Sequence, residues 1–140
     1  MSIWKRLRRD QRGAAAIEFA IALPVMVVMI YGIFQVGLIY QANAGMQHAL
    51  GEGARYGTLC IPTPTGCNIH TDAEVVTVMS NKVFGMNVGS FSTPTVTTPA
   101  TTSCTHCKDL TVSYTVTPNF LFFNGPPVTL TRTKRVYQAF

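Results

Sequence analysis

From Gly13 to Tyr40 the chain reads GAAAIEFAIALPVMVVMIYGIFQVGLIY, twenty-eight positions with a single formal charge, Glu18. At about 1.5 Å rise per residue such a helix is ~42 Å long, more than the ~30 Å hydrocarbon core of a bilayer requires. The pattern predicts a membrane-spanning helix over 14–40, with Tyr31 and Tyr40 available to an interface. Pro24 removes one backbone donor and should weaken the bond toward Ala20, which membrane helices tolerate. Beyond Tyr40, polar Gln41, Asn43, Gln47, His48, Glu52 and Arg55 are interleaved with Met46, Ala49, Leu50 and Ala54. That mixture predicts an amphipathic helical stem over 41–57. Glycines at 45, 51, 53 and 57 each weaken helix propensity by about 1 kcal/mol relative to Ala. In return they would let another helix or a sheet come close.

The pattern then changes. Residues 58–70 (TLCIPTPTGCNIH) read as a loop, with prolines, a glycine and two cysteines. Thr71-Asp72-Ala73-Glu74 has the form of a capping box and opens a short helix over about 71–84, with Val75, Val78, Met79 and Phe84 on or near one side. Residues 85–103 are rich in Gly, Ser, Thr and Pro and read as a loop with one weak strand around 95–98. Leu110–Val116 alternates strictly, as a half-buried strand does, and a second strand starts at Val128 and runs to Val136 or Tyr137. The connection Asn119–Pro127 contains Phe120-Leu121-Phe122-Phe123, unusually apolar for a loop. Such a cluster ordinarily closes the core beneath it; a docking patch for another subunit is the sharper alternative. The fold class is α+β: a long N-terminal helix, a short second helix and a small antiparallel sheet.

Charge sharpens this division. Five of the eleven Lys and Arg (Lys5, Arg6, Arg8, Arg9, Arg12) precede Gly13, beside one acid, Asp10. The remaining chain holds six basic and five acidic residues, so the basic character belongs to the tail. A nucleic-acid-binding domain would carry it on the folded surface, and no nucleic-acid partner is expected. A basic tail before an apolar run instead marks a cytoplasmic flank. Four segments follow: a basic cytoplasmic leader (1–13), a transmembrane helix (14–40), a helical stem (41–57) and a small extracytoplasmic α+β domain (58–140). A removable signal peptide ending at Ala42-Asn43-Ala44 is the competitor, but its apolar region should span only about 7–15 residues.

A carboxylate inside a span costs ~2.5–3.5 kcal/mol on insertion scales. Taken alone, Glu18 would be an interfacial group relieved by snorkelling. Its context is Arg12-Gly13-Ala14-Ala15-Ala16-Ile17-Glu18-Phe19, a glycine after a basic tail, four apolar residues, a glutamate and an aromatic. This resembles the prepilin junction at which a prepilin peptidase cuts after the glycine. The resemblance implies cleavage between Gly13 and Ala14, and a free α-amine at Ala14 that is positive at neutral pH. Glu18 could then pair with the amine of a neighbouring subunit and set the register of packed helices. Gly13, Glu18, Phe19, Ala20, Pro24, Gly32, Gly37 and Gly53-Ala54-Arg55-Tyr56 further resemble the TadE-like family, minor pseudopilins of the tight-adherence (Tad, or Flp-type) pilus. The resemblance covers roughly residues 12–57 and implies a pilin-like fold with Glu18, Phe19 and Pro24 serving assembly. It implies as partners the inner membrane, the prepilin peptidase, other pilin and pseudopilin subunits and the assembly platform. The chain would be single-pass with its outer domain periplasmic, either staying at the assembly base or entering a surface pilus.

Cys60, Cys67, Cys104 and Cys107 in an exported domain read first as two disulfides, with three pairings open. The local pairing is Cys60–Cys67 with Cys104–Cys107; the crossed ones would close longer loops and stabilise more. A zinc site using the four thiols, or a thiol set with His70 or His106, is a rival, although C-x6-C is a wide spacing for one. Cys104-Thr105-His106-Cys107 also has a dithiol-oxidoreductase form, but it precedes a strand and not a helix. His48, His70 and His106 have no readable nucleophile partner, so neither an enzyme nor a cofactor is expected. The functional alternatives to a pilin are an uncleaved single-span envelope protein with a partner-binding outer domain and an anchored metal- or thiol-binding module.

Overall fold

The computed structural model describes residues 13–85, 88–99, 104 and 106–138. The leader before Gly13 lies outside the described residues. A single helix, α1 (Ala14–Thr58), runs 45 residues through Pro24 and past Tyr40 without a break. Its last turn is closed locally: the Thr58 hydroxyl donates to the carbonyls of Ala54 (3.1 Å) and Arg55 (2.9 Å). The Leu59 N–H donates to Tyr56 O.

The expected loop 58–70 instead contains a hairpin, β1 (Cys60–Thr63) and β2 (Gly66–Ile69), paired antiparallel. Gly66, at φ +143°, supplies the turn conformation that an L side chain would resist. The second helix, α2 (Asp72–Lys82), starts with both halves of the capping box formed. The Thr71 hydroxyl accepts the Glu74 N–H (3.3 Å), and the Glu74 carboxylate accepts the Thr71 N–H (2.8 Å). It stops two residues before the sequence suggests, leaving Phe84 in the exit and exposed.

The sheet is built on β5 (Cys107–Val116). Along one edge it pairs with β3 (Gly89–Phe91) near its end and with β4 (Thr95–Thr97) near its start; β6 (Val128–Tyr137) covers the other edge over all ten residues. Strand β3 falls within a stretch expected to be loop. Leu110, Val112, Tyr114 and Val116 of β5 are buried, and they pack with Met46 and Leu50 of α1, Val75 and Met79 of α2, and Val136. The opposite face is a ladder of hydroxyl pairs, Thr111–Thr133 (3.0 Å), Ser113–Thr131 (2.9 Å) and Thr115–Thr129 (3.1 Å). Strict alternation thus separates a dry face from a wet one.

The stem's glycines explain how closely the layers meet. A Cβ on Gly45 would overlap the Phe84 carbonyl oxygen, and one on Gly53 would overlap the Met79 side chain. These two positions let α2 and its exit lie directly against α1.

Candidate functional site

Gly13 stands at the N-terminal boundary of α1 as its cap, in a right-handed backbone conformation and exposed. Nothing described comes within 4 Å of a Cβ built on it, so its backbone is sterically open. Ala14 begins the helix. Glu18 follows one turn later, so positions 14 and 18 share a face. Glu18, Phe19 and Pro24 all sit on the bare part of the helix, and Ile17, Phe19, Ile21 and Val25 are exposed around them. Glu18 borders a shallow apolar groove formed with Ile21, Ala22 and Val25. Of the most apolar eighteen-residue window of α1, none is buried within the chain. This surface is apolar on every side, the pattern of a helix whose environment is lipid or other helices.

Residues 13–55 match the family described as TadE-like protein. The chain carries the TadE-like helix. The TadE-like segment holds the glycine, the glutamate and the exposed apolar surface, and it ends inside the stem that packs on the sheet. That match points to the Tad pilus system, and α1 is long and apolar enough to cross a membrane. No curated protein and no solved structure matches the chain.

The cysteines lie away from this helix end. The structure joins Cys60 to Cys67 across the β1–β2 hairpin, and Cys104 to Cys107 at the entry to β5. These are the local pairings, with sequence separations of 7 and 3, so each closes a short loop. Chain-entropy reasoning then gives only about 2 kcal/mol apiece. Among the described residues no three His, Cys, Asp or Glu side chains gather as a metal site. His70 instead stacks on Tyr56, with ring centroids 3.8 Å apart, and its Nδ1 lies 3.6 Å from Glu74. His48 meets Phe84 edge-on.

Exposed ion pairs and hydrogen bonds tie the elements of the outer domain at its surface. Arg135 donates twice to Asp109 (2.7 and 2.9 Å), and this guanidinium holds the Asp109 carboxyl below its ordinary range. The Thr71 N–H does the same for Glu74. Lys108 bridges to Asp72 (2.9 Å), and Arg132 donates to Asn43 on α1 (2.8 Å).

One feature departs from expectation. The Phe120–Phe123 cluster does not close the core: Leu121, Phe122 and Phe123 are 52, 72 and 62% exposed. The loop lies at the sheet's end, where Phe120 is half-buried and faces α1 at Gly32 while the next three side chains are exposed. The readable signal was the charge pattern, since no charged residue occurs between Asp109 and Arg132.

Proposed function

We propose that this chain is a minor pilin or pseudopilin of a Tad/Flp-type pilus, made as a membrane-inserted precursor and cut by a prepilin peptidase between Gly13 and Ala14. The observation that carries the reading is the family match beginning at Gly13, where an open glycine immediately precedes an exposed apolar helix. Glycine offers a peptidase backbone without side-chain hindrance. Cleavage creates a cationic amine at Ala14, one turn from Glu18. In a packed assembly the Glu18 carboxylate pairs with such an amine on an adjacent subunit and fixes the axial register, a role that isolated apolar contacts fill poorly. Phe19 and the Pro24 turn contribute packing surface beside it.

The outer domain then stands in the periplasm, an oxidising compartment that suits its two disulfides. Removal of the helix as a signal peptide after Ala44 is disfavoured by the core itself, because Ala42 is wholly buried there. The role is structural, not catalytic.

The deciding experiment is the mature N-terminus, read by intact mass and terminal peptide sequencing from hosts with and without the peptidase. A chain starting at Ala14 only in the peptidase-positive host is expected. Retention of the leader in both hosts would leave an uncleaved anchor. In addition, Glu18→Ala should be cut normally yet fail to support piliation, and normal piliation in that variant would remove Glu18 from assembly.

A further inference from the structure

We propose that the β5–β6 loop is a second membrane contact, with Leu121, Phe122 and Phe123 inserting into the leaflet on the outer-domain side. The proposal rests on α1 spanning the membrane, as set out above, and adds a site to it. The helix fixes the level. Gly32 lies eighteen steps from Ala14, about 27 Å along the axis, close to the ~30 Å of a hydrocarbon core. If the hydrocarbon core begins at the start of α1 it ends near Gly32, and residues 33–40 of the expected span lie in the interface above it. There the loop touches the helix: a Cβ on Gly32 would lie 3.9 Å from the Phe120 ring. The exposed apolar surface of α1 is therefore continuous with that of the loop.

Its tip is built for a dry setting. The Phe120 N–H donates to Phe123 O (2.8 Å), Phe122 N–H to Phe120 O (2.7 Å) and Gly125 N–H to Pro118 O (2.7 Å). The Asn119 side chain takes the Leu121 N–H (2.9 Å), and Pro126 and Pro127 have none to satisfy. With the Phe120, Leu121, Phe122 and Gly125 donors occupied, most of the tip's backbone meets the demand that lipid makes. The Phe120 and Phe123 rings stack at 5.2 Å, and Leu121 sits at φ +66°, a conformation costly for a bulky side chain. That strain is maintained while three apolar side chains point outward. Charge agrees: the first cation beyond the tip on β6, Arg132, bonds Asn43, about 16 Å farther along α1 than Gly32. The uncharged end of the sheet faces the membrane level and the charged end faces away.

The test uses the full chain in phosphatidylethanolamine–phosphatidylglycerol vesicles. Its sole tryptophan is removed by Trp4→Phe, and one indole is introduced by Phe122→Trp, Val25→Trp or Tyr137→Trp. Quenchers are aqueous iodide and lipids carrying a nitroxide high on the acyl chain or near its end. The Phe122→Trp variant should emit to the blue of the Tyr137→Trp variant and be quenched best by the shallow nitroxide. The Val25→Trp variant should respond to the deep nitroxide, and the Tyr137→Trp variant to iodide alone. Iodide quenching of Phe122→Trp with Val25→Trp still lipid-quenched would overturn the loop contact and leave the anchor standing. Protection of Phe122→Trp from both quenchers, lost on diluting the protein in lipid, would assign the loop to a neighbouring subunit and overturn the proposal. Iodide quenching of Val25→Trp would remove the anchor, and the loop contact with it.

Discussion

The two parts of α1 share one backbone and obey different rules. Before Gly32 the helix is apolar all round except at Glu18 and touches almost nothing in its own chain; after it, a stripe at Ala42, Met46, Ala49, Leu50, Gly53 and Gly57 is buried in the outer domain. Exposed Ile17, Ile21, Met29 and Ile30 would be a liability in water. The packed half uses small residues because its partners come from a sheet and a helix that must approach closely. The difference shows that hydropathy reports the solvent a helix needs, whereas residue size along one face reports what packs on it.

Two methionines test that contrast most strongly. Met46 is fully buried and Met29 is 63% exposed. Met46→Ala should destabilise the outer domain by about 2–5 kcal/mol, while Met29→Ala should leave it unchanged. Denaturant unfolding of the full chain in micelles, followed at the sheet, checks both; equal effects would erase the distinction. Glycines give a smaller version. Gly45→Ala forces a methyl onto the Phe84 carbonyl and should cost about 1–3 kcal/mol, whereas at Gly37 nothing lies within 4 Å and the same change should be neutral or stabilising.

The weakest contrast is electrostatic. Asp109 and Glu74 both have depressed folded-state pKa values, through Arg135 and the Thr71 N–H respectively. Their contribution is complete above the unfolded carboxylate values of about 4 and is lost as pH falls through the folded ones. The outer domain's melting temperature should therefore drop in acid below that point. Asp109→Asn should flatten part of the drop, and an unchanged acid limb would show that this pair contributes nothing measurable.

Much of this organisation is legible in the sequence, and the reasons for the exceptions are physical. Leu110–Val116 shows its strand because one face is dry. The strand's earlier start at Cys107 is hidden, since Lys108 and Asp109 break the alternation and gain their places through Asp72 and Arg135. Strands β1 and β2 are four residues each, exposed, and contain Pro62, so neither periodicity nor propensity marks them; pairing and the Cys60–Cys67 bond hold them. At the N-terminal end, spacing alone singles out Gly13, Ala14 and Glu18, and the structure sets them at the start of α1 without testing their roles. The Phe120–Phe123 loop misled because composition says how apolar a segment is and not whether anything lies under it.

The unbroken length of α1 has one more effect. A continuous helix acts as a shaft, so an azimuth chosen at one end is inherited at the other. Fourteen residues separate Glu18 from Gly32, which at 3.6 per turn brings them to within about 40° of each other around the axis. Glu18 thus points roughly to the side on which the Phe120 ring meets Gly32, so in the proposed assembly a neighbouring amine would reach the carboxylate below that loop.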